Sequence, residues 1–179
     1  MRAPLPPLPN SYWVERGRLL AGEHPYGGSR DATRRRLELL LAAGVRSFLD
    51  LTQAGEVPGY RELLPAEINY ANLPIPDHSV PRKPAQMQEI LRELRSAVTE
   101  RAAVYVHCRA GIGRTGTTIG CYLRERGARP DAAVTELNRL WQQNARAAEW
   151  PRTPETNEQE SYILDWRVQP LKGTHGTGR

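Results

Sequence analysis

Ala102-Ala103-Val104-Tyr105-Val106-His107-Cys108-Arg109-Ala110-Gly111-Ile112-Gly113-Arg114-Thr115-Gly116 decides how the rest of this chain is read. The apolar first part reads as a strand, the glycine-rich middle as a tight loop, and Thr115 opens a helical pattern that runs to about residue 126. A loop that curls its backbone N–H groups around a tetrahedral oxyanion needs glycine where a side chain would clash or φ turns positive. Gly111, Gly113 and Gly116 meet that need. The helix start adds free N–H groups and the positive end of its dipole. The same field favours a negative sulfur, so Cys108 is expected to be a thiolate near neutral pH. Arg114 closes the loop with a planar fork that can hold two oxygens at once. The segment 109–114, Arg109, Ala110, Gly111, Ile112, Gly113 and Arg114, is therefore read as an anion cradle with a sulfur nucleophile at its base, suited to phosphoryl transfer to sulfur.

Working outward, the pattern alternates between strand and helix. Two short strands, 12–14 and 18–21, bend at Gly17, and Ser29 can cap a helix over 30–43 that stops at Gly44. A strand over 45–51 follows, then an irregular stretch or short helix within 52–65, a strand over 68–73 ending at Pro74, and a helix over 84–101 with Met87, Ile90, Leu91, Leu94 and Val98 on one side. Two further helices are expected over 130–147 and 154–165. This order predicts an α/β single domain with a central, mostly parallel sheet flanked by helices on both faces, and it puts the cradle at a strand's C-terminal end, where such sheets bind ligands. Residues 1–9 are expected to form a Pro-rich arm in polyproline II, 10–166 the domain, and 167–179 a polar, disordered tail.

At 179 residues the chain can bury a core without disulfides or metal. Cys108 and Cys121 have neither metal-ligand spacing nor a disulfide framework, Cys121 reads as a packed thiol in a helix, and no metal or cofactor is expected. A reactive thiolate needs a reducing compartment. The N-terminal Met1-Arg2-Ala3-Pro4-Leu5-Pro6-Pro7-Leu8-Pro9 lacks a signal peptide's apolar run, and no later stretch approaches a membrane span, so a cytoplasmic protein is expected. The formal charge of +5 is carried almost wholly by arginine, which suits acidic substrates without specifying nucleic acid. Arg34, Arg35 and Arg36 read as a solvated helix face. A monomer with no nucleic-acid partner is expected.

Displacement at phosphorus leaves an alkoxide or phenoxide that a carboxylic acid should protonate. Of five aspartates, Asp31 and Asp131 sit in first helical turns, Asp165 is late in the chain and Asp50 ends a strand, positions with ordinary structural uses. Asp77 differs, because Pro74-Ile75-Pro76-Asp77-His78-Ser79-Val80-Pro81 is a proline-limited loop, exposed and able to close over a substrate. His78 reads as a solvent-facing loop residue within reach of a leaving group.

The run from His107 to Thr115 resembles the signature loop of the cysteine-dependent protein tyrosine phosphatase superfamily, His-Cys, five residues, then Arg-Ser or Arg-Thr. Arg18-Leu19-Leu20-Ala21-Gly22-Glu23-His24-Pro25, Asp50-Leu51-Thr52 and Gly120-Cys121-Tyr122-Leu123 are similar to stretches of its compact bacterial and dual-specificity-type members. The resemblance implies a phosphocysteine intermediate on Cys108, a buried His107 that orders the loop, a Thr115 hydroxyl that eases departure of the thiolate, and an acid on a mobile loop, matching Asp77. It also implies, from Thr153-Pro154-Glu155-Thr156-Asn157-Glu158-Gln159-Glu160-Ser161-Tyr162, a glutamine, Gln159, that places the hydrolytic water. The implied activity is hydrolysis of phosphate monoesters, on phosphotyrosine and phosphoserine/threonine of proteins. A phosphoinositide or metabolite phosphatase, a non-catalytic phospho-residue binding module and a sulfur-transfer or arsenate-reducing enzyme stand as alternatives.

Overall fold

The computed structural model describes residues 5–99 and 102–168. Its strands are β1 (Ser11–Glu15), β2 (Leu19–Gly22), β3 (Val45–Asp50), β4 (Asn69–Asn72) and β5 (Ala103–His107), and its helices α1 (Arg30–Ala42), α2 (Pro84–Thr99), α3 (Gly113–Glu125), α4 (Pro130–Trp141) and α5 (Asn157–Asp165). The sheet runs β1-β2-β5-β3-β4, with β1 antiparallel to β2 and every other pairing parallel. The central strand β5 is buried along its whole length, as a strand covered on both faces must be, and its Val-Tyr-Val run suits that place.

Two apolar clusters lie on the two faces. On one, α1 brings Leu37 and Leu40 against Phe48, Tyr60 and Tyr105. On the other, the expected stripe of α2 (Met87, Ile90, Leu91, Leu94, Val98) packs with Ile119, Leu137, Trp141 and Ile163 from α3, α4 and α5. The expected α/β layering is thus the observed one. Leu8, assigned from sequence to a free arm, is buried in the first cluster, and Pro9 O accepts from Ala145 N (2.8 Å), so the packed body begins before residue 10. The rest of the expected arm, residues 1–4, and the expected tail beyond 168 lie outside the described residues.

Element ends differ from the sequence reading for local reasons. Ser29 caps α1 as expected, its Oγ accepting from Ala32 N at 3.1 Å. The helix expected over 130–147 ends at Trp141, because the Asn144 side chain accepts from Arg146 N and starts a separate 3₁₀ turn, Ala145–Ala148. The helix expected from Pro154 begins at Asn157 behind a capping box: Thr156 accepts from Gln159 N, and the Gln159 side chain returns the bond to Thr156 N. Arg36 is less solvated than expected, since it pairs with Glu23, which also takes Arg146 at 2.7 Å.

Register positions the site. Gly22, Asp50 and Asn72 close their strands level with one another through β5, whose last residue His107 pairs with both Gly22 and Asp50. The loops that follow these strands gather at one edge. Leu51 N bonds to His107 O (2.9 Å) and Ile75 N to Leu51 O (3.0 Å), which carries the segments after β3 and β4 over the loop after β5.

Candidate active site

Cys108 lies at the floor of a hollow of about 190 Å³ lined by Asp77, His78, Arg109, Ala110, Gly113, Arg114 and Glu155. Four of the six expected cradle residues, Arg109, Ala110, Gly113 and Arg114, thus line one hollow with Asp77. Only one of the loop glycines is there for its backbone angle: Gly111 has φ +76°, and a Cβ on it would meet Gly22 C at 2.5 Å and Glu23 N at 2.7 Å. Gly113 serves a different purpose, since a Cβ there would lie 2.8 Å from Gln159 Nε2 and 3.1 Å from Glu155 Oε2. Ile112, at the cap of α3, is buried, and its carbonyl accepts from Thr153 Oγ1 at 2.7 Å. Arg109 is exposed at the rim.

Arg114 is buried to 1% exposure, which a guanidinium tolerates only when its donors are met. Nη1 donates to Glu56 Oε2 (2.8 Å) and Ile75 O (3.1 Å), and Nη2 donates to Glu56 Oε1 and pairs with Asp77 Oδ1 (2.8 Å). Burial alone would lower the Arg114 pKa, but hydrogen bonding to Glu56 and the charges of Cys108, Glu56 and Asp77 leave it above the ordinary value. Burial would likewise raise that of Glu56, and bonds from Arg114 and Gln53 N outweigh it and hold the carboxyl low. Glu56 was not anticipated from sequence.

Beneath the loop, His107 is fully buried, with Nδ1 3.1 Å from Cys108 O and Nε2 2.6 Å from Tyr60 OH. Burial lowers the His107 pKa, so the ring is neutral. A carbonyl only accepts, so Nδ1 carries the proton and Tyr60 donates to Nε2. The Cys108 carbonyl is thereby tied to the floor, away from the hollow. His24, Asp50 and His107 bring ligand-type atoms within 4.8 Å of one another. Their atoms are already engaged: Asp50 accepts from Thr52 N, Thr52 Oγ1 and Tyr70 OH, and His24 Nδ1 accepts from Tyr26 N, bonds that a metal would have to break.

The same cluster makes stability depend on pH. Burial and the neighbouring His107 push His24 down to about 4. Between about pH 6.5 and that value the unfolded chain takes up a proton that the native state refuses, so stability falls as pH falls through the window, by about 3 kcal/mol for this one group. His107 is shifted the same way. Urea midpoints measured near neutrality and at about pH 4.5 should show this drop, and His24→Gln should reduce it. An undiminished drop in the variant would assign the effect elsewhere.

Thr115 is fully buried and its Oγ1 has no partner among the described residues. Gln159 is buried beside Gly113, on which a Cβ would meet its amide at 2.8 Å, and it is not among the residues lining the hollow. Oε1 accepts from Glu155 N and Thr156 N (3.1 Å each), and Nε2 donates to Ser79 O (3.0 Å), so the water-placing role implied for Gln159 finds the side chain committed to capping α5 and holding the loop after Asp77. His78 has a left-handed backbone (φ 53°), with Nδ1 3.2 Å from Glu155 Oε2 and Nε2 3.6 Å from Asp77 Oδ2. Glu155, the carboxylate that lines the hollow besides Asp77, was not anticipated from sequence. Cys121 is buried in α3, and burial raises its pKa, as fits a packed thiol.

Residues 8–163 match the family described as Swiss Army Knife protein, DSP-PTPase phosphatase domain. The putative tyrosine phosphatase 067L of Invertebrate iridescent virus 3 is 37% identical over 89 residues, covering 47% of this chain and 36% of that protein, so the chain spans little more than a third of this relative's length. Tk-PTP in its active form superposes with a TM-score of 0.71 at 26% identity, covering 89% of this chain and 99% of that one. A TpbA variant of P. aeruginosa, in complex with pTyr, shares the fold with a TM-score of 0.60 at 19% identity, over 91% of this chain and 95% of its own. Among the described residues no helix is long and apolar enough to cross a membrane. A family match over most of the length, on a fold that carries the signature loop at the end of its central strand, makes this chain a member of the dual-specificity-type branch of cysteine-dependent phosphatases.

Proposed function

We propose that the protein hydrolyses phosphate monoesters in two steps through a phosphocysteine on Cys108. The observation that carries this reading is the convergence of Cys108, Arg114 and Asp77 on one hollow, with Glu56 fixing the guanidinium from behind. In the first step the Cys108 sulfur attacks phosphorus in line while the amides of 109–114 and Arg114 hold the equatorial oxygens. A phosphate oxygen on Nη2 takes the place of Asp77 there, which frees that side chain to protonate the leaving oxygen. In the second step water releases phosphate, and the unpartnered Thr115 hydroxyl offers a hydrogen bond to the departing sulfur. His107 and Gln159 act as positioning residues, the first under the loop and the second between Gly113, Ser79 and the start of α5. The cradle supplies positive charge itself, so no metal or cofactor takes part in this scheme.

The substrates are phosphorylated proteins or peptides, phosphotyrosine foremost and phosphoserine/threonine second. The rim supports this choice: besides Arg114 the lining offers one further arginine, Arg109, against the two carboxylates of Asp77 and Glu155. That balance is unfavourable to a ligand bearing several phosphates. With EDTA present throughout, kcat/KM for a phosphotyrosine peptide should exceed that for soluble inositol phosphates by about tenfold or more. The reverse ratio would transfer the assignment to a lipid-headgroup or metabolite substrate, and release of no phosphate from any ester would end the reading.

A further inference from the structure

We propose that Glu155 is a second catalytic carboxylate, the base that takes the proton from the water hydrolysing the phosphocysteine. This rests on the two-step reading above and adds a residue to its second half. Three observations carry it. Glu155 lines the same hollow as Cys108 and Asp77, although it comes from the segment before α5 and not from the signature loop or the acid loop. Its carboxylate is held close over Gly113, near enough that a methyl group on that glycine would come within 3.1 Å of Oε2. Its backbone N–H is fixed by Gln159 Oε1 at 3.1 Å, so the side chain starts from an anchored position.

The partners of the two carboxylates divide the work. Asp77 Oδ1 meets Arg114 Nη2 until phosphate takes its place, and its proton goes to the leaving oxygen in the first step. The side chain nearest the Glu155 carboxylate is His78, whose left-handed backbone sets the imidazole with Nδ1 toward Glu155 and Nε2 toward Asp77. A ring with one nitrogen facing each carboxylate can accept a proton from one side and return one to the other or to water. Its side chain is 65% exposed, which gives that proton a way out. In the step itself water oxygen bonds to phosphorus, the S–P bond breaks with its electron pair going to sulfur, and one water proton passes to Glu155. The products are the Cys108 thiolate, hydrogen phosphate and a neutral Glu155, which loses its proton to His78 or solvent.

The test is pre-steady-state kinetics of the full chain with p-nitrophenyl phosphate. Glu155→Gln should release about one equivalent of p-nitrophenolate in a rapid phase and then turn over about 10²-fold more slowly than the parent, with phosphocysteine found by mass spectrometry after acid quench. Unchanged turnover, or slow turnover without the rapid phase and without trapped phosphocysteine, would overturn the proposal. Unaltered orthovanadate binding shows that the variant keeps the cradle. If it binds no vanadate, Glu155→Ala with added formate is the decisive variant: restored turnover supports the role, and no restoration in a vanadate-binding protein refutes it. If Cys108→Ser still turns over the ester, the two-step reading fails by itself, whatever Glu155 does.

Discussion

Replacing Cys108 by serine is expected to abolish turnover of p-nitrophenyl phosphate, by a factor on the order of 10⁴ to 10⁶, while leaving the fold and oxyanion binding in place. Serine is nearly isosteric with cysteine, and the Cys108 side chain sits at 2% exposure under a loop whose shape is set by Gly111, His107 and Arg114, so the exchange opens no cavity. What disappears is the sulfur atom: a serine hydroxyl is a far weaker nucleophile toward phosphorus. The measurement pairs initial rates with calorimetric titration of orthovanadate. Lost turnover with retained binding identifies Cys108 as the nucleophile and rejects a pure binding module, because a module has no turnover to lose. Activity within tenfold of the parent would mean that the sulfur does not carry the phosphoryl group.

Asp77→Asn is expected to lower kcat by about 10² to 10⁴ without raising KM. The amide cannot donate the acid proton, yet it keeps the size and the place of the carboxylate on Nη2. Arg114 stays anchored by Glu56 on both of its terminal nitrogens, so the phosphate site survives the change. Removal of a negative charge that shares the guanidinium should, if anything, favour the dianion. The loss should be larger for phenyl phosphate than for p-nitrophenyl phosphate, since the more basic leaving oxygen depends more on protonation. Equal losses for both esters would point to a role for Asp77 in holding Arg114 and would remove it as the acid.

The layering of the fold was legible because its elements carry unambiguous periods: the α2 stripe at Met87, Ile90, Leu91, Leu94 and Val98, and the unbroken apolar run of β5. That Cys108 and Arg114 share one loop, with Asp77 on a proline-limited loop beside them, was legible because each signal is carried by a short stretch of chain. Glu56 was not, since it lies in the irregular stretch between β3 and β4 and meets Arg114 only through the register that brings the strand ends level. A physical clue was present all the same: an arginine destined for burial requires a carboxylate, and the loop following a neighbouring strand is the place to seek one. The capping role of Gln159 was passed over for the opposite reason, since its signal is local. Thr156-Asn157-Glu158-Gln159 has the capping-box pattern, a local signal that accounts for the buried amide and moves the helix start to Asn157. Glu155 stands one residue before that box, and its place at the rim follows from where the box stops the chain.

The even finish of the parallel strands at Gly22, His107, Asp50 and Asn72 separates the domain into a sheet below and the loops that roof it. Asp77 and Glu155 reach the hollow from spans outside the sheet, 73–83 and 142–156, so single positions there can be varied without breaking a ladder. Selectivity can therefore be re-engineered at single rim positions of these two spans, with the sheet beneath left as it is.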